Sequence, residues 1–294
     1  MAERAWAGTT YGSGWMHRWL IRVLRWMDVR MLYVFAALFI VPVSLMLNES
    51  RTIIYRYLRQ RQGYGPWKAA WKTYTNHCLF SQVVIDKFAM YAGKHFRITI
   101  EGYEHFRQLA HRKEGFLQLS SHVGNYEIAG YTLRAEKTLN ALVFFGEKQT
   151  VMQSRTTMFA ETNIRMIPVS EDMSHLFLID HALQEGEIVS MPADRRNGSQ
   201  KSVTVSLLGA DADLPLGPFS VATMRGLDVL AVNVMKDSWT SYKIFVTPLV
   251  YDKQAARKEQ IRQLADGYAA ELERMLQRYP TQWYNFFDFW KSSK

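Results

Sequence analysis

A histidine and a glutamate five residues apart are the side chains best placed to do chemistry in this chain of 294 residues. His122 and Glu127 lie in the segment Gly115 to Gly130, which reads GFLQLSSHVGNYEIAG. Its apolar first half predicts a strand, and His122 follows at the carboxyl end, where open α/β sheets place ligands. A carboxylate that bonds one imidazole nitrogen fixes the tautomer and leaves the other nitrogen to accept a proton. The pair therefore predicts a general base, which accelerates a reaction roughly a hundred- to ten-thousand-fold.

The spacing of these two residues requires a bend before the helix that follows. Side chains five residues apart on a regular helix point about 140° away from each other. They meet only if His122 precedes the first regular turn, and Gly124 makes such a bend possible. We therefore expect Glu127 to contact and orient His122. Gly124 and Asn125 are expected to line the pocket, and backbone amides near Gly124 or a nearby arginine to stabilise an oxyanion.

The other common catalytic motifs are absent from the sequence. It has no Gly-x-Ser-x-Gly nucleophile elbow, no His-Glu-x-x-His zinc motif and no glycine-rich phosphate or dinucleotide loop. The remaining histidines are scattered without the spacing of metal ligands. A single cysteine, Cys78, excludes an internal disulfide and fits a reducing compartment. We therefore expect neither a metal site nor a nucleotide cofactor.

Short apolar runs separated by helical stretches follow Gly93. By their length and their β-branched or aromatic content, the runs predict strands at Arg97 to Ile100, Gly115 to Ser120, Leu142 to Phe145, Met166 to Val169, Ile188 to Met191, Val203 to Leu208, Val229 to Val234 and Lys243 to Val250. Helical patterns occur at Glu127 to Leu133, Met152 to Thr162, His175 to Gln184, Ser220 to Arg225 and Lys253 to Tyr279. This alternation predicts an α/β fold with a mainly parallel sheet flanked by helices.

A run of seventeen residues without a charge, Met31 to Leu47, is bracketed by Arg30 and Arg51. As a helix it reaches about 25 Å, slightly short of a hydrocarbon core of roughly 30 Å. It starts too late for a cleaved signal peptide, and no small-residue cleavage site follows it. We interpret it as a membrane anchor, either a marginal span or a re-entrant segment. A buried core helix is the alternative.

Basic and aromatic residues crowd the first quarter of a chain whose formal net charge is +9. The basic residues there include Arg18, Arg22, Arg25, Arg30, Arg51, Arg56, Arg59, Arg61, Lys68 and Lys72. Before the apolar run they alternate with Trp15, Trp19 and Trp26, a pattern typical of a helix at a membrane interface. Such a surface favours an anionic partner, which is an anionic lipid, an acidic carrier protein or a nucleic acid. A nucleic acid gives no reason for the adjoining apolar run, so we favour the membrane.

Three stretches resemble one family of lipid-modifying enzymes. SSHVGNYE resembles the signature of the lysophospholipid acyltransferase superfamily, a histidine, four residues and then Asp or Glu, and more closely the version in its lipid A late-acyltransferase branch. Met191 to Gly226 is similar to two later blocks of that branch, a strand-end loop with an acidic residue and a strand followed by a Pro-Gly-Pro-like turn. Tyr279 to Tyr284 resembles its closing Tyr-Pro-x-Gln-Trp element. With the N-terminal anchor, the resemblance covers nearly the whole chain.

This resemblance implies an αβα fold like that of glycerol-phosphate acyltransferases. It implies a membrane-associating region at 1–92, an acyltransferase domain at 93–294, and transfer of a fatty acyl group from acyl carrier protein, or acyl-CoA, to a hydroxyl or amine of a lipid acceptor. His122 and Glu127 are then the catalytic pair, and the acyl thioester is a co-substrate rather than a bound cofactor. The implied location is the bacterial inner membrane, with the catalytic domain on the cytoplasmic side.

Two other strand ends supply candidates for the acceptor and acyl pocket. Asp194, Arg195 and Arg196 are expected to orient a polar or phosphorylated head group, because a guanidinium suits bidentate phosphate contacts. The alternative for this stretch is a solvated turn at Asn197-Gly198. Further pocket residues are expected at the end of another strand, at Phe145, Gly146 and Glu147.

Two other functional classes remain open. A lipid esterase or thioesterase would use the same His–Glu pair to activate water and would release free fatty acid. A non-catalytic membrane-binding or nucleic-acid-binding protein would explain the basic, aromatic N-terminus but would leave His122 and Glu127 without a purpose.

Overall fold

A seven-stranded sheet organises the computed structural model, which describes residues 14–133, 135–144, 163–169, 173–196 and 201–290. In chain order the strands are β1 (Arg97–Glu101), β2 (Phe116–Ser120), β3 (Leu139–Phe144), β4 (Ile164–Val169), β5 (Ile188–Pro192), β6 (Ser202–Leu207), β7 (Ala210–Pro215), β8 (Val229–Ser238) and β9 (Ser241–Leu249). The sheet order is β1-β9-β8-β2-β5-β3-β4, and its neighbours are parallel except β8 and β9. The predicted fold, a mainly parallel α/β sheet, is confirmed.

Helices surround this sheet and extend from it at the N-terminus. They are α1 (Gly14–Trp26), α2 (Val29–Phe35), α3 (Val41–Leu47), α4 (Ser50–Gln60), α5 (Pro66–Tyr91), α6 (Tyr103–Ala110), α7 (Glu127–Thr132), α8 (Ser174–Gln184), α9 (Leu216–Met224) and α10 (Arg257–Arg278). The predicted helix at Met152 to Thr162 lies outside the described residues.

The central strand β2 is buried along its whole length because both faces of the sheet are covered. Successive strand residues point to opposite faces. Leu117 and Leu119 therefore join the core cluster that contains Leu272 of α10, whereas Phe116 joins a second cluster with Ile128 of α7. A continuous apolar run such as that of β2 is what a strand between two helix layers requires.

One predicted strand belongs to a separate sheet. Val203 to Leu208 corresponds to β6, which pairs antiparallel with β7 in a two-stranded hairpin. No strand is predicted at β7, because Ala and Asp, which make up most of ADADLP, have a low β-propensity. Its inner positions Ala212 and Leu214 are nevertheless fully buried, so tertiary packing decides this strand.

The N-terminal apolar run forms one continuous helical segment, Val29–Leu47, long and apolar enough to cross a membrane by length and composition. A π-helical turn, Ala36–Ile40, joins α2 to α3. In it the N–H of Val41 bonds the carbonyl of Ala36, five residues earlier, which keeps both residues on one buried stripe with Tyr33. The segment therefore packs through one stripe and exposes the rest of its surface, including Leu38 and Leu47.

A buried ion pair fastens this segment to the domain. Asp86 of α5 pairs with the ammonium of Lys236 on β8, and both are almost inaccessible to solvent. The hydroxyls of Tyr33 and Tyr242 also donate to Asp86. Asp86 thus joins three elements that are far apart in the sequence: α2, the β8–β9 pair and α5.

Candidate active site

His122 lies two residues beyond β2, in a short loop that leads into α7. Its Nδ1–H donates to Oδ1 of Asp194 over 2.7 Å, and its backbone N–H donates to Oδ2 of the same carboxylate over 2.8 Å. The His122 side chain is 18% exposed, and its Nε2 has no partner within the described part of the chain. This nitrogen is therefore the one that is free to accept a proton from a substrate.

The sheet register explains why Asp194 meets His122. Ser120 at the end of β2 is paired with Pro192 at the end of β5, and the N–H of Ala193 donates to the carbonyl of Ser120 over 3.0 Å. His122 and Asp194 each follow two residues later, so they leave the sheet at the same level. Asp194, which the sequence placed among the head-group residues, is the carboxylate that contacts the imidazole.

Glu127 does not make the contact with His122 that the sequence predicted. Its Oε1 lies 2.7 Å from Nζ of Lys87, and its Oε2 accepts a hydrogen bond from the hydroxyl of Tyr91 over 3.3 Å. Lys87 and Tyr91 are four residues apart on one face of α5. Because Glu127 is the first residue of α7, its side chain is directed to α5, and the ion pair with Lys87 holds it there.

The charge on Asp194 follows from its surroundings. Burial raises the pKa of this carboxyl, but the nearby His122, its hydrogen bonds and the Arg195 guanidinium outweigh burial, so the pKa lies below its ordinary value. The carboxylate therefore stays ionised near neutral pH. An ionised carboxylate on Nδ1 stabilises the imidazolium that forms when Nε2 takes a proton.

Gly124 lets the loop lie directly on β8. Its φ is +67°, and a Cβ at this position would be 1.8 Å from the carbonyl oxygen of Val234. The N–H of Gly124 donates to the carbonyl of Gln282, and that of Asn125 donates to Val234, each over 2.8 Å. These two amides and that of His122 already have acceptors, so of the two expected sources of oxyanion stabilisation, backbone amides near Gly124 or a nearby arginine, these three amides are not available. Asn125 itself is buried beside the Tyr242 hydroxyl.

A sequence comparison shows the family to which this chain belongs. Residues 85–292 match the family model of bacterial lipid A biosynthesis acyltransferases. The chain belongs to that family. A search of curated proteins finds no match. One solved structure with a similar arrangement is the 1-acyl-sn-glycerophosphate (LPA) acyltransferase PlsC from Thermotoga maritima, at 12% identity and a TM-score of 0.40, over 91% of this chain and 99% of that one.

The family confirms the resemblance seen in the sequence and shows that the protein is an acyltransferase that acts on lipids. The roles of the individual side chains are not shown by it and remain predictions.

In this acyltransferase the arginines after β5 differ in their surroundings. Nη2 of Arg195 donates to the carbonyl of Tyr284 over 2.7 Å, and its guanidinium lies 5.8 Å from the ring centre of Phe287. Burial lowers the pKa of Arg195, and Asp194 opposes that shift. Arg196 is half exposed, 3.8 Å from Asp213. Of the two, Arg196 is the more accessible to a head group.

Sequence reasoning missed one residue beside His122 and two that contact Glu127. The ring of Tyr126 lies 5.9 Å from the imidazole and is partly exposed. Lys87 and Tyr91 hold Glu127, and their spacing of four on a helix is their only signal in the sequence. Three predicted pocket residues, Phe145, Gly146 and Glu147, lie outside the described residues, as does the alternative turn at Asn197-Gly198.

A pocket of about 500 Å³ lies at the other end of the central strands, where β2 and β8 begin. Its lining includes Gly115 and Phe116 at the amino end of β2 and Asp228 before β8. His122 follows the carboxyl end of β2, so this pocket is separate from the candidate active site.

We expect Gly124→Ala to destabilise the acyltransferase by more than about 3 kcal/mol, because the new Cβ would overlap the Val234 carbonyl. Gly63→Ala is the matched control, since Gly63 has a φ of +68° with no atom within 4 Å of the added Cβ. Its expected destabilisation is about 1 kcal/mol, the penalty of a left-handed conformation alone. Urea unfolding of both variants measures the difference, and equal losses would contradict the close approach to Val234.

Proposed function

We propose that this acyltransferase moves a fatty acyl group from acyl carrier protein to a hydroxyl or amine of a lipid acceptor, with His122 as the general base. The observation that supports this most strongly is the hydrogen bond from Nδ1 of His122 to the buried Asp194, with Nε2 left accessible. This arrangement differs from the sequence-based hypothesis in one respect: Asp194, rather than Glu127, is proposed to orient the base.

The proposed reaction is a single displacement. Nε2 of His122 takes the proton of the acceptor hydroxyl while its oxygen attacks the thioester carbonyl of the donor. The new C–O bond forms, the C–S bond breaks, and the imidazolium returns its proton to the leaving thiolate. Asp194 stabilises the imidazolium between these two steps. Glu127 is proposed to keep the Lys87 ammonium and the Tyr91 hydroxyl in place beside the loop.

Acyl carrier protein is proposed as the donor because the exposed basic residues of the N-terminal region would attract an acidic protein. Arg18, Arg22 and Arg25 of α1 are all exposed. Acyl-CoA is the alternative donor, since it carries the same thioester and is also anionic.

A product assay tests the reaction. Purified enzyme incubated with acyl carrier protein that bears a radiolabelled acyl chain, together with a lipid A precursor, is expected to form labelled lipid that requires the acceptor. Release of free fatty acid at the same rate without acceptor would instead identify a lipid esterase or thioesterase. Label transfer from acyl-CoA alone would change the donor and leave the reaction type intact.

Membrane attachment through Val29–Leu47 is the second part of the proposal, with the enzyme on the cytoplasmic face of the bacterial inner membrane. Only 22% of this apolar segment is buried, which argues against the alternative of a core helix. Exposed tryptophans flank it on α1 and on the first turns of α5, at Trp15, Trp19, Trp26, Trp67 and Trp71. Tryptophan favours the level of the lipid head groups, and the basic residues around it favour anionic lipids.

Leu38→Asp is expected to reduce binding to vesicles that contain anionic phospholipid by tenfold or more, since Leu38 is 61% exposed in the middle of the apolar segment. The control is Val250→Asp, which places the same charge at another exposed apolar position, between β9 and α10. Vesicle sedimentation measures both. Unchanged binding of Leu38→Asp would refute attachment through this face.

A further inference from the structure

A short segment that follows α10 forms a clamp around the His122 loop. We define the clamp as Thr281–Tyr284, the last four residues of the Tyr-Pro-x-Gln-Trp-Tyr element. The N–H of Gly124 donates to the carbonyl of Gln282 over 2.8 Å, and the N–H of Tyr284 donates to the carbonyl of His122 over 3.0 Å. Val123 and Trp283 lie between these bonds as an antiparallel bridge. The backbone on both sides of His122 is thereby held as a short strand pair.

The clamp lies where β2 leaves the edge of β8 open. β2 pairs with β8 only from Leu117 to Leu119, opposite Val229 to Ala231. Beyond that point, β8 is bridged by Gly124 at Val234, and the next available position on that edge is Lys236. An open edge inside a sheet leaves backbone donors and acceptors without partners, which is unfavourable when they are buried.

The side chain of Gln282 supplies those partners. Its Oε1 accepts from the N–H of Lys236 over 2.8 Å, and its Nε2 donates to the carbonyl of Lys236 over 2.7 Å. The amide thus satisfies both backbone groups of one residue, as a neighbouring strand would. Gln282 is 5% exposed, so solvent does not compete for these bonds.

The clamp is also fixed to α5 and to the loop that carries Asp194. Nδ2 of Asn76 on α5 donates to the carbonyls of Thr281 and Trp283 over 3.0 and 2.9 Å. Arg195, the neighbour of Asp194, donates to the carbonyl of Tyr284. One short segment therefore contacts the backbone of His122 and the loop that carries Asp194, and it sets the distance between them.

We propose that Gln282 is a positioning residue for acyl transfer. It holds the His122 loop at the position along β8 where the imidazole contacts Asp194. This rests on the proposed role of His122 as the base. A displacement of about 1 Å in a catalytic group lowers a rate by roughly a hundredfold. Loss of the Gln282 bonds is therefore expected to act on the chemical step and to leave substrate binding unchanged.

Gln282→Glu and Gln282→Asn test this role. The glutamate keeps the acceptor for the Lys236 N–H and loses the donor, whereas asparagine keeps both groups on a shorter side chain. We expect kcat per folded enzyme to fall tenfold to a hundredfold in both variants, with KM for the acyl donor within about twofold of the parent. Gln277→Glu is the matched control, because Gln277 is exposed on α10, and it should retain the parent kcat.

A spectroscopic measurement separates positioning from loss of stability. The 15N signals of the His122 imidazole, identified by their absence from His122→Ala, report whether Nδ1 still donates to a carboxylate. They are expected to shift in both Gln282 variants and to stay unchanged in Gln277→Glu. Should Gln282→Glu fail to fold, Gln282→Asn carries the same test.

The two proposals fail in different ways. Parent kcat and unshifted 15N signals in folded Gln282 variants, alongside an inactive His122→Ala, would overturn the role of Gln282 and leave the function standing. Full activity of His122→Ala would overturn the proposed function itself.

Discussion

His122→Ala is expected to lower the rate of acyl transfer by roughly a hundred- to ten-thousand-fold, the contribution of a positioned general base. Nε2 of His122 is the atom proposed to take the acceptor proton, and the described residues next to it offer no second imidazole. His122→Gln is the more specific variant, because its amide has a group that can donate to Asp194 and none that takes a proton at neutral pH. Both variants should lose activity to a similar extent, as measured by transfer of label to lipid.

The control for this result is His111→Ala, since His111 is exposed after α6 and its ring Nδ1 bonds the carbonyl of Arg107. It should leave the rate unchanged. Because His122→Ala leaves Asp194 with fewer partners, we expect it to lower stability by about 1–3 kcal/mol, and rates must be referred to folded protein measured by circular dichroism. Activity of His122→Gln within tenfold of the parent would contradict a general-base role.

Asp194→Asn is expected to have the second largest effect, a loss of kcat that approaches and does not exceed that of His122→Ala, by analogy with the buried carboxylate of serine-protease triads. Asparagine keeps the size of the side chain and removes the charge. The imidazolium then loses its counter-ion, so the proton transfer to Nε2 loses the stabilisation that the carboxylate supplies. The comparison variant is Asp228→Asn, which neutralises a half-exposed carboxylate paired with Arg112 and Lys253.

The difference in unfolding free energy between the parent and Asp194→Asn should depend on pH in a defined direction. The pKa of Asp194 is lowered in the folded state, so its ionised form contributes stability that is present above the ordinary value of 3.8. That contribution disappears as pH falls through the lowered folded-state value. The parent and Asp194→Asn should therefore differ in unfolding free energy at neutral pH and converge in strong acid.

Glu127→Gln discriminates between the two carboxylates. In the structure Glu127 pairs with Lys87, so this change should leave kcat per folded enzyme close to that of the parent and act on stability, through the loss of the buried ion pair. A large loss of kcat in Glu127→Gln and none in Asp194→Asn would show that Glu127 orients the base.

The sequence predicted the position of His122 but not its partner. The apolar run of β2 and the strand-end location of His122 follow from local pattern, and the structure confirms both. The pairing with Asp194 follows instead from the register of β2 against β5, which joins residues 72 positions apart. Proximity in sequence favoured Glu127, yet a side chain at the start of α7 points to α5, and only the packing of α5 reveals this.

The same limit applies to the clamp. The Tyr-Pro-x-Gln-Trp stretch was visible as a resemblance, but its contact with Gly124 depends on an open edge of β8 created by the early end of β2. Only β6 of the β6–β7 hairpin was predicted, because the Ala and Asp residues of β7 have a low β-propensity, and the strand is stabilised by the burial of Ala212 and Leu214.

The bond between Tyr33 and Asp86 bears on how the enzyme can be prepared. Deleting the apolar N-terminal residues is a common way to obtain an enzyme that needs no detergent. Here it would remove the hydroxyl of Tyr33, which donates to the fully buried carboxylate of Asp86. The buried pair of Asp86 and Lys236 would then have one hydrogen-bond donor fewer and would be exposed where α2 had packed. Lys236 lies on β8, the same strand that the His122 loop contacts at Val234. A truncated enzyme would thus be more soluble but less stable around the buried pair of Asp86 and Lys236.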